Sequence, residues 1–166
     1  MYRLYVISTL AWPKRCDSVS VPMARVKGCP ESYDVEKLGA AIRALRDTAL
    51  HWPAYDRRLH DVVEDAVEVT GDIVLVEGNR QLLKETGFSS LPDLCDFSIA
   101  LHADESLLAD RLVGRKQMGG FSLQEAMDHY AYCDRPNIRR YKMGLECGDL
   151  NLRITGDGRF EVEPFS

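Results

Sequence analysis

The sequence lacks any apolar stretch of the roughly 18–20 residues that a membrane-spanning helix needs. Its apolar start, residues 1–10, has neither the charged region nor the small-residue cleavage site of a signal peptide. Internal repeats, low-complexity tracts and a composition typical of a domain linker are also missing. With 166 residues, of which 45% are hydrophobic and 28% charged, the chain has the composition of one soluble globular domain.

Neither a basic charge balance nor a cysteine framework is present. The formal net charge is −5 and the pI is about 5.4, so the overall charge does not attract nucleic acid or an anionic membrane. The cysteines number five and include no Cys-x-x-Cys pair, which argues against both a disulfide framework and a zinc site. We therefore expect a cytoplasmic protein that has no nucleic-acid or membrane partner.

Strand and helix patterns alternate along the chain, which predicts an α/β fold with a mostly parallel sheet. Strands are predicted at residues 1–9, 19–23, 66–69, 72–76 and 96–101. Helices are predicted at residues 34–50, 80–86, 104–117 and 122–133, and a last hairpin at residues 150–155 and 159–163. A tight turn at residues 70–71 links the third and fourth strands. Asp34, Asp104 and the pair Ser122 and Glu125 provide helix-start signals.

The segment 72–79 (DIVLVEGN) contains the clearest functional signal. Its apolar run is continuous rather than alternating, which predicts a strand buried on both faces of a parallel sheet. Glu77, Gly78 and Asn79 then lie at the carboxyl edge of that sheet, where α/β proteins bind their ligands. A carboxylate there must be paired, solvated or bound to a metal ion. Taken alone, Glu77 suits either an ordinary strand end or a metal site.

A polar loop is predicted at residues 53–61, after the segment 51–53 (HWP) ends the preceding helix. Tyr55 could stack on a small polar ligand, Arg57 could hold a phosphate or carboxylate, and His60 could form a hydrogen bond near neutral pH. Asp56 adds a carboxylate to this group. The alternative is a solvated surface loop held by internal salt bridges.

Arg111 and Arg115 are four residues apart and therefore lie on one face of the predicted helix. Followed by Gly119 and Gly120, they suit a lid that brings positive charge onto transferring phosphates. The alternative is a basic face that pairs with neighbouring carboxylates, those of Asp104, Glu105 and Asp110.

The turn at residues 134–137 (DRPN) has two interpretations. The carboxylate of Asp134 and the amide of Asn137 could serve a ligand. Otherwise the turn is simply the end of the helix that precedes it, because proline stops a helix.

Five segments in this order resemble the uridine kinase, phosphoribulokinase and pantothenate kinase-like branch of the P-loop NTPases. The likeness extends to nucleoside-kinase-like proteins, some of them named as sugar or fructose-transport kinases, and covers about residues 19–155. The matching segments are 27–34 (KGCPESYD), 53–61 (PAYDRRLHD), 74–79 (VLVEGN), 111–115 (RLVGR) and 134–137 (DRPN). Cys133 stands where the family usually has asparagine.

The resemblance implies a three-layer P-loop NTPase-like fold, with helices on both sides of the sheet, and ATP-dependent phosphorylation of a hydroxyl group. It implies ATP and Mg²⁺ as cofactors and a nucleoside or sugar-like substrate. Glu77 would organise Mg²⁺, directly or through water, and would be the catalytic carboxylate. The remaining implied site residues are Tyr55, Asp56, Arg57, His60 and Asn79 for the acceptor, Arg111 and Arg115 for the phosphates, and Asn137 for the nucleotide.

Two parts of the family pattern are absent from the sequence. No Gly-x-x-x-x-Gly-Lys-Ser/Thr motif occurs, so the strand, phosphate loop and helix at the start of the family's fold are missing or replaced. Ala24 stands at the position of the acidic base. Residues 1–18 are accordingly interpreted as a divergent segment, and residues 19–166 as a single kinase-like α/β domain.

These departures predict little or no kinase activity, because phosphoryl transfer depends on positioning and charge stabilisation of the phosphates. The chain is either a truncated kinase or a non-catalytic homologue that binds a ligand or a partner. Loss of the first strand and helix would expose sheet surface and favour a homo-oligomer. A third hypothesis is a hydrolase that uses Asp56, His60 and Glu77, but the sequence has no nucleophile elbow to support it.

Overall fold

The computed structural model describes residues 4–8, 30, 33–46, 50–56, 58–59 and 61–164. The predicted strand at 19–23, the position of Ala24, and much of segments 1–18 and 27–34 lie outside these residues. The chain has two compact units, Met1–Gln81 with Thr86–Leu94 and Leu82–Glu85 with Cys95–Ser166.

The described residues form both helices and strands, and two of the strand pairs are parallel, which confirms the α/β class. In chain order they are β1 (Leu4–Ser8), α1 (Val35–Ala44), β2 (Leu50–Asp56), β3 (Asp61–Val69), β4 (Ile73–Glu77), a 3-10 turn (Pro92–Leu94), β5 (Ile99–Ala103), α2 (Glu105–Met118), α3 (Leu123–His129), a π-helical turn (Tyr130–Asp134), α4 (Arg135–Gly144), β6 (Leu150–Ile154) and β7 (Phe160–Val162). None of the helices in the described residues is long and apolar enough to cross a membrane.

The first unit contains two strand pairs. β1 and β4 are parallel, with the register running from Leu4 opposite Ile73 to Ser8 opposite Glu77. β2 and β3 form an antiparallel hairpin, so β3 and β4 belong to different pairs although they are consecutive. The prediction that β4 is buried on both faces is wrong: Ile73 and Leu75 are 49% and 43% exposed. An apolar run favours a strand but does not ensure that a neighbouring layer covers it.

Helix α1 begins as predicted and ends early. The carboxylate of Asp34 accepts a hydrogen bond from the backbone N–H of Lys37 at 3.0 Å, which caps the helix. The helix ends at Ala44, and β2 begins at Leu50, so the predicted extension to residue 50 is wrong. Apolar side chains fill the core of this unit, among them Leu38, Ile42, Trp52, Val69, Phe88 and Leu91.

The predicted loop at residues 53–61 is mostly a strand, because β2 extends to Asp56. Trp52 is 1% exposed and anchors this strand in the core. Pro53 has no backbone N–H to donate, and it lies where the register between β2 and β3 shifts. That irregularity lets the strand continue through the proline.

The predicted helix at residues 80–86 is also wrong. Leu83 is fully buried and forms an isolated bridge with Leu145. The backbone N–H of Lys84 donates to the carbonyl of Gly144 at 2.8 Å, and that of Glu146 donates to Leu82 at 2.7 Å. The hydrogen bonds of residues 82–84 therefore go to the chain beyond α4 and leave no helix of their own.

The second unit contains a three-stranded sheet in the order β5, β6 and β7. β5 and β6 are parallel, whereas β6 and β7 form the predicted antiparallel hairpin. Helix α2 extends from Glu105 to Met118, close to the prediction, and stops at Gly119. The capping box of Ser122 and Glu125 is present at the start of α3.

Helix α3 does not end in a turn at residues 134–137. It passes through the π-helical turn directly into α4, so the predicted turn is wrong, while a ligand role of Asp134 and Asn137 stays a prediction. Pro136 lies in the first turn of α4, directly after the π-helical turn, and the helical path continues through it. The proline therefore does not stop the helix here.

Candidate functional site

Glu77 lies at the carboxyl end of β4, beside the end of the parallel strand β1. It is the last residue of β4 and pairs in register with Ser8, the last residue of β1. Glu77 and Asn79 are both exposed. No described residue forms a hydrogen bond or ion pair with the carboxylate of Glu77. Two parallel strands thus end together beside an exposed carboxylate, which is where α/β sheets bind ligands.

The hairpin of β2 and β3 places Tyr55 and Asp56 at its tip. Tyr55 pairs in register with Val62 and is half-buried. One carboxylate oxygen of Asp56 accepts hydrogen bonds from the backbone N–H groups of Arg58 and Leu59 at 2.6 and 3.1 Å. Asp56 therefore closes the turn of the hairpin, as aspartate does in Asx turns. Arg57 and His60 lie outside the described residues.

Arg111 and Arg115 are exposed on α2. Their expected alternative, pairing with nearby carboxylates, is not found among the described residues. Asp104 binds Arg153, and Glu105 lies 3.0 Å from Arg135. Within the described ranges neither Arg111 nor Arg115 has an ion pair, so both guanidinium groups are available to an anion.

Asn137 lies in the first turns of α4 and is half-buried. No hydrogen bond or ion pair in the described part of the chain joins any two of the predicted site residues. Four of them, Tyr55, Asp56, Glu77 and Asn79, belong to the first unit, and Arg111, Arg115 and Asn137 belong to the second.

A polar cluster that the sequence reading did not single out surrounds the π-helical turn. Nδ1 of His129 lies 3.3 Å from a carboxylate oxygen of Asp134, and Nε2 lies 3.1 Å from Nζ of Lys116. Cys133 contributes a thiol whose pKa is raised by burial and by the charge of Asp134, against a smaller opposing effect of Lys116. The sequence spacing of His129, Cys133 and Asp134 would predict this cluster only if a π-helical turn were expected at these residues.

Comparison with known proteins relates the chain to kinases. No protein-family model matches it. The uncharacterized protein YggC of Escherichia coli (strain K12) is 42% identical over 134 residues, which cover 81% of this chain and 56% of YggC. Pantothenate kinase of Shewanella denitrificans is 39% identical over 94 residues, 51% of this chain and 30% of that enzyme. The chain spans at most about half the length of these relatives.

Solved structures agree with these sequence matches. A Silicibacter sp. TM1040 protein, provisionally named a fructose transport system kinase, superimposes with a TM-score of 0.82 at 25% identity, covering 89% of this chain and 74% of its own. Saccharomyces cerevisiae YFH7, provisionally described as a P-loop kinase with a circular permutation, shares the fold with a TM-score of 0.73 at 18% identity, over 91% of this chain and 57% of its own. These matches make the chain similar to uridine kinase and pantothenate kinase-like P-loop kinases.

Proposed function

We propose that the chain supplies the acceptor and lid parts of an ATP-dependent kinase that phosphorylates a hydroxyl group of a small molecule. The observation that carries this proposal is Glu77, an exposed carboxylate where β1 and β4 end together. Relatives named for pantothenate and for fructose transport favour a small polar, sugar-like or nucleoside acceptor. We place the protein in the cytosol on its cysteine usage.

The residues present fit Mg²⁺ better than they fit the phosphates of ATP. Mg²⁺ is commonly held by one or two carboxylates while it keeps several water ligands. The exposed carboxylate of Glu77, with the amide of Asn79 two residues on, suits that mode of binding. Bound Mg²⁺ would neutralise phosphate charge. Arg111 and Arg115 would supply positive charge to the phosphates.

The 166 residues contain no Gly-x-x-x-x-Gly-Lys-Ser/Thr motif to hold the β- and γ-phosphates. We therefore propose that this polypeptide by itself turns over ATP at a rate close to background, while it keeps affinity for Mg²⁺ and a ligand. Tyr55 at the hairpin tip would contact the acceptor, and Asn137 would contact the nucleotide. Asp56 would have an indirect role, because its carboxylate closes the hairpin turn.

Two measurements on the purified chain test this proposal. Thermal shift with sugars, nucleosides, ATP and ADP, each with and without Mg²⁺, should give a Mg²⁺-dependent stabilisation. Glu77→Gln should remove it, and Glu68→Gln, an exposed carboxylate on β3, should not. A shift that Glu77→Gln leaves intact would refute the assignment of Glu77. Robust ATP turnover abolished by Glu77→Ala would refute the proposed lack of activity.

A second candidate function, a non-catalytic binding or assembly module, is favoured by apolar exposure. Val6 and Leu75 are paired in register and are 58% and 43% exposed. In the second unit, Leu101 and Val162 occupy one row of the sheet and are 60% and 71% exposed. Such surfaces favour association, including with a second copy of the chain. If light scattering showed a monomer at high protein concentration, self-association would be excluded as the role of these exposed apolar surfaces.

A further inference from the structure

Three side chains with metal-ligating atoms meet at the π-helical turn. One ligand atom each of His129, Cys133 and Asp134 lies within 4.8 Å of the other two. The His129 and Asp134 side chains are 34% and 21% exposed, and Cys133 is half-buried. An ion can therefore reach these atoms from solvent, while the surrounding helices hold them in place.

The wide turn explains why these three residues meet. The backbone N–H of Arg135 donates to the carbonyl of Tyr130, five residues earlier. A turn of this width brings residue i+5 next to residue i, so Asp134 faces His129. Cys133, at i+4, lies on the same side. Single π-helical turns inside helices are frequent at functional sites.

The donor set indicates the kind of ion. Imidazole nitrogen, thiolate sulfur and carboxylate oxygen are the ligands of zinc-class metals, and three protein ligands leave a coordination position open. Mg²⁺ prefers oxygen alone, so this donor set differs from that expected for a kinase's Mg²⁺. We propose that His129, Cys133 and Asp134 bind a thiophilic divalent cation of the zinc class, in competition with the ammonium group of Lys116.

Lys116 provides the positive charge of the cluster when no metal is bound. An ammonium group can only donate, so Nε2 of His129 accepts from Lys116 and the ring proton is on Nδ1, directed at Asp134. Binding of the cation through Nδ1 moves that proton to Nε2. The Cys133 thiol loses its proton to solvent, giving one proton released per ion bound. Nε2 can then no longer accept from Lys116.

Lys116 has a second contact that remains when its hydrogen bond to His129 is lost. Its ammonium group also lies 5.1 Å from the centre of the Phe121 ring, where a cation is attracted. The competition makes a distinctive prediction, since removal of a neighbouring cation should strengthen metal binding. Loss of a residue with a purely structural role would not have that effect.

The full 166-residue chain, without nucleotide, should be titrated with zinc chloride by calorimetry and with cobalt chloride by absorption spectroscopy. One ion should bind, and the Co²⁺ spectrum should contain a thiolate charge-transfer band. Cys133→Ser and His129→Gln should weaken binding by at least about 100-fold, beyond the usual effect of residues outside the ligand set. Cys147→Ser, which removes an exposed free thiol, is the matched control and should leave affinity unchanged.

The Lys116→Met variant tests the proposed metal site even if the variants of the ligand residues fail to fold. It should tighten Zn²⁺ binding about tenfold, a change well within the Coulomb energy of adjacent charges. Lys142→Met, on the exposed surface of α4, removes the same charge elsewhere and should have no effect. The proposal is overturned by the lack of a thiolate band in the wild-type chain, by equal affinities of the two cysteine variants, or by unchanged affinity in Lys116→Met.

Discussion

Asp104 occupies the N-cap position of α2, yet its carboxylate binds Arg153 and not the first turn of that helix. Its backbone is extended, with φ −66° and ψ 146°, as an N-cap residue requires. Both carboxylate oxygens accept hydrogen bonds from one guanidinium nitrogen of Arg153, at 2.6 and 2.7 Å. The bond and the charge of Asp104 together raise the pKa of Arg153. The ion pair thereby joins the start of α2 to β6.

Removal of Asp104 and removal of Arg153 should lower the melting temperature by different amounts. Arg153→Gln should lower the melting temperature only slightly, because the freed carboxylate of Asp104 can then accept from the N–H groups of the first turn. Asp104→Ala should lower it more, since it removes the ion pair and the capping group together. Thermal unfolding followed by circular dichroism compares the two variants. Equal losses would show that Asp104 cannot return to the helix end.

An added methyl group would meet different surroundings at each of three glycines. Replacement of these glycines by alanine should therefore change the stability by different amounts. Gly87 has φ +89°, and an added Cβ would lie 2.6 Å from Cγ1 of Val35. A Cβ added at Gly120, where φ is +94°, would meet open space, and a Cβ added at Gly114 inside α2 would contact no side chain within 4 Å.

Gly114→Ala should stabilise the chain by about 0.5–1 kcal/mol, as alanine does inside a helix. Gly120→Ala should cost about 1–2 kcal/mol through its backbone conformation alone. Gly87→Ala should cost more than Gly120→Ala, because Val35 must also move. Urea unfolding of the three variants measures the series. A Gly87→Ala chain as stable as Gly120→Ala would mean that Val35 gives way freely.

The sequence predicts the starts of helices here better than their ends or the partners of strands. Asp34 and Ser122 mark helix starts through their own side chains, and both caps are present. The end of α1 and the path of residues 82–84 depend on contacts distant in sequence, such as the bridge between Leu83 and Leu145. Local patterns contain no information about such contacts, so the predicted helix at residues 80–86 is wrong.

Site residues follow the same division. The position of Glu77 at the end of its strand could be predicted, because an apolar run followed by a glycine is a local sequence signal. Asp56 matches a family segment, but its carboxylate closes a hairpin turn that only the pairing of β2 with β3 creates. The contact between His129 and Asp134 needs a π-helical turn, and their five-residue spacing would keep them apart in a regular α-helix.

Asp149 should make stability depend on pH in the acid range. Its carboxylate accepts hydrogen bonds from the Ser98 hydroxyl and the Ser98 backbone N–H, both at 2.7 Å. These bonds lower the pKa of Asp149 in the folded chain below that of an ordinary carboxyl group. The stabilisation is therefore complete above the unfolded-state pKa and is lost as the pH falls through the lower, folded-state pKa.

Asp149→Asn should accordingly flatten the fall of melting temperature between neutral pH and about pH 3, which spans the ordinary aspartate pKa. Asp110→Asn is the control, because Asp110 is exposed and its carboxylate has no hydrogen bond among the described residues. Melting temperatures measured across this range compare the three chains. Identical slopes in the wild type and Asp149→Asn would contradict the expected linkage.

Arg111 and Arg115 should be dispensable for stability, whereas Arg140 should not. Arg140 donates through Nε and Nη2 to the two carboxylate oxygens of Glu85, both at 2.7 Å, and so holds residues 82–85 against α4. Arg140→Gln should therefore lower the free energy of unfolding by roughly 1 kcal/mol, as expected for a partly exposed, charge-assisted pair. The double variant Arg111→Gln/Arg115→Gln should unfold like the wild type.

The order of the same variants should reverse for anion binding. Tripolyphosphate, titrated at low ionic strength, should bind more weakly to the Arg111→Gln/Arg115→Gln chain, because it loses two guanidinium groups that have no ion pair within the described ranges. Arg140→Gln removes a guanidinium group that is already paired with Glu85, so it should leave that affinity unchanged. Equal weakening by both variants would point to overall charge, and it would remove the reason to regard Arg111 and Arg115 as a lid.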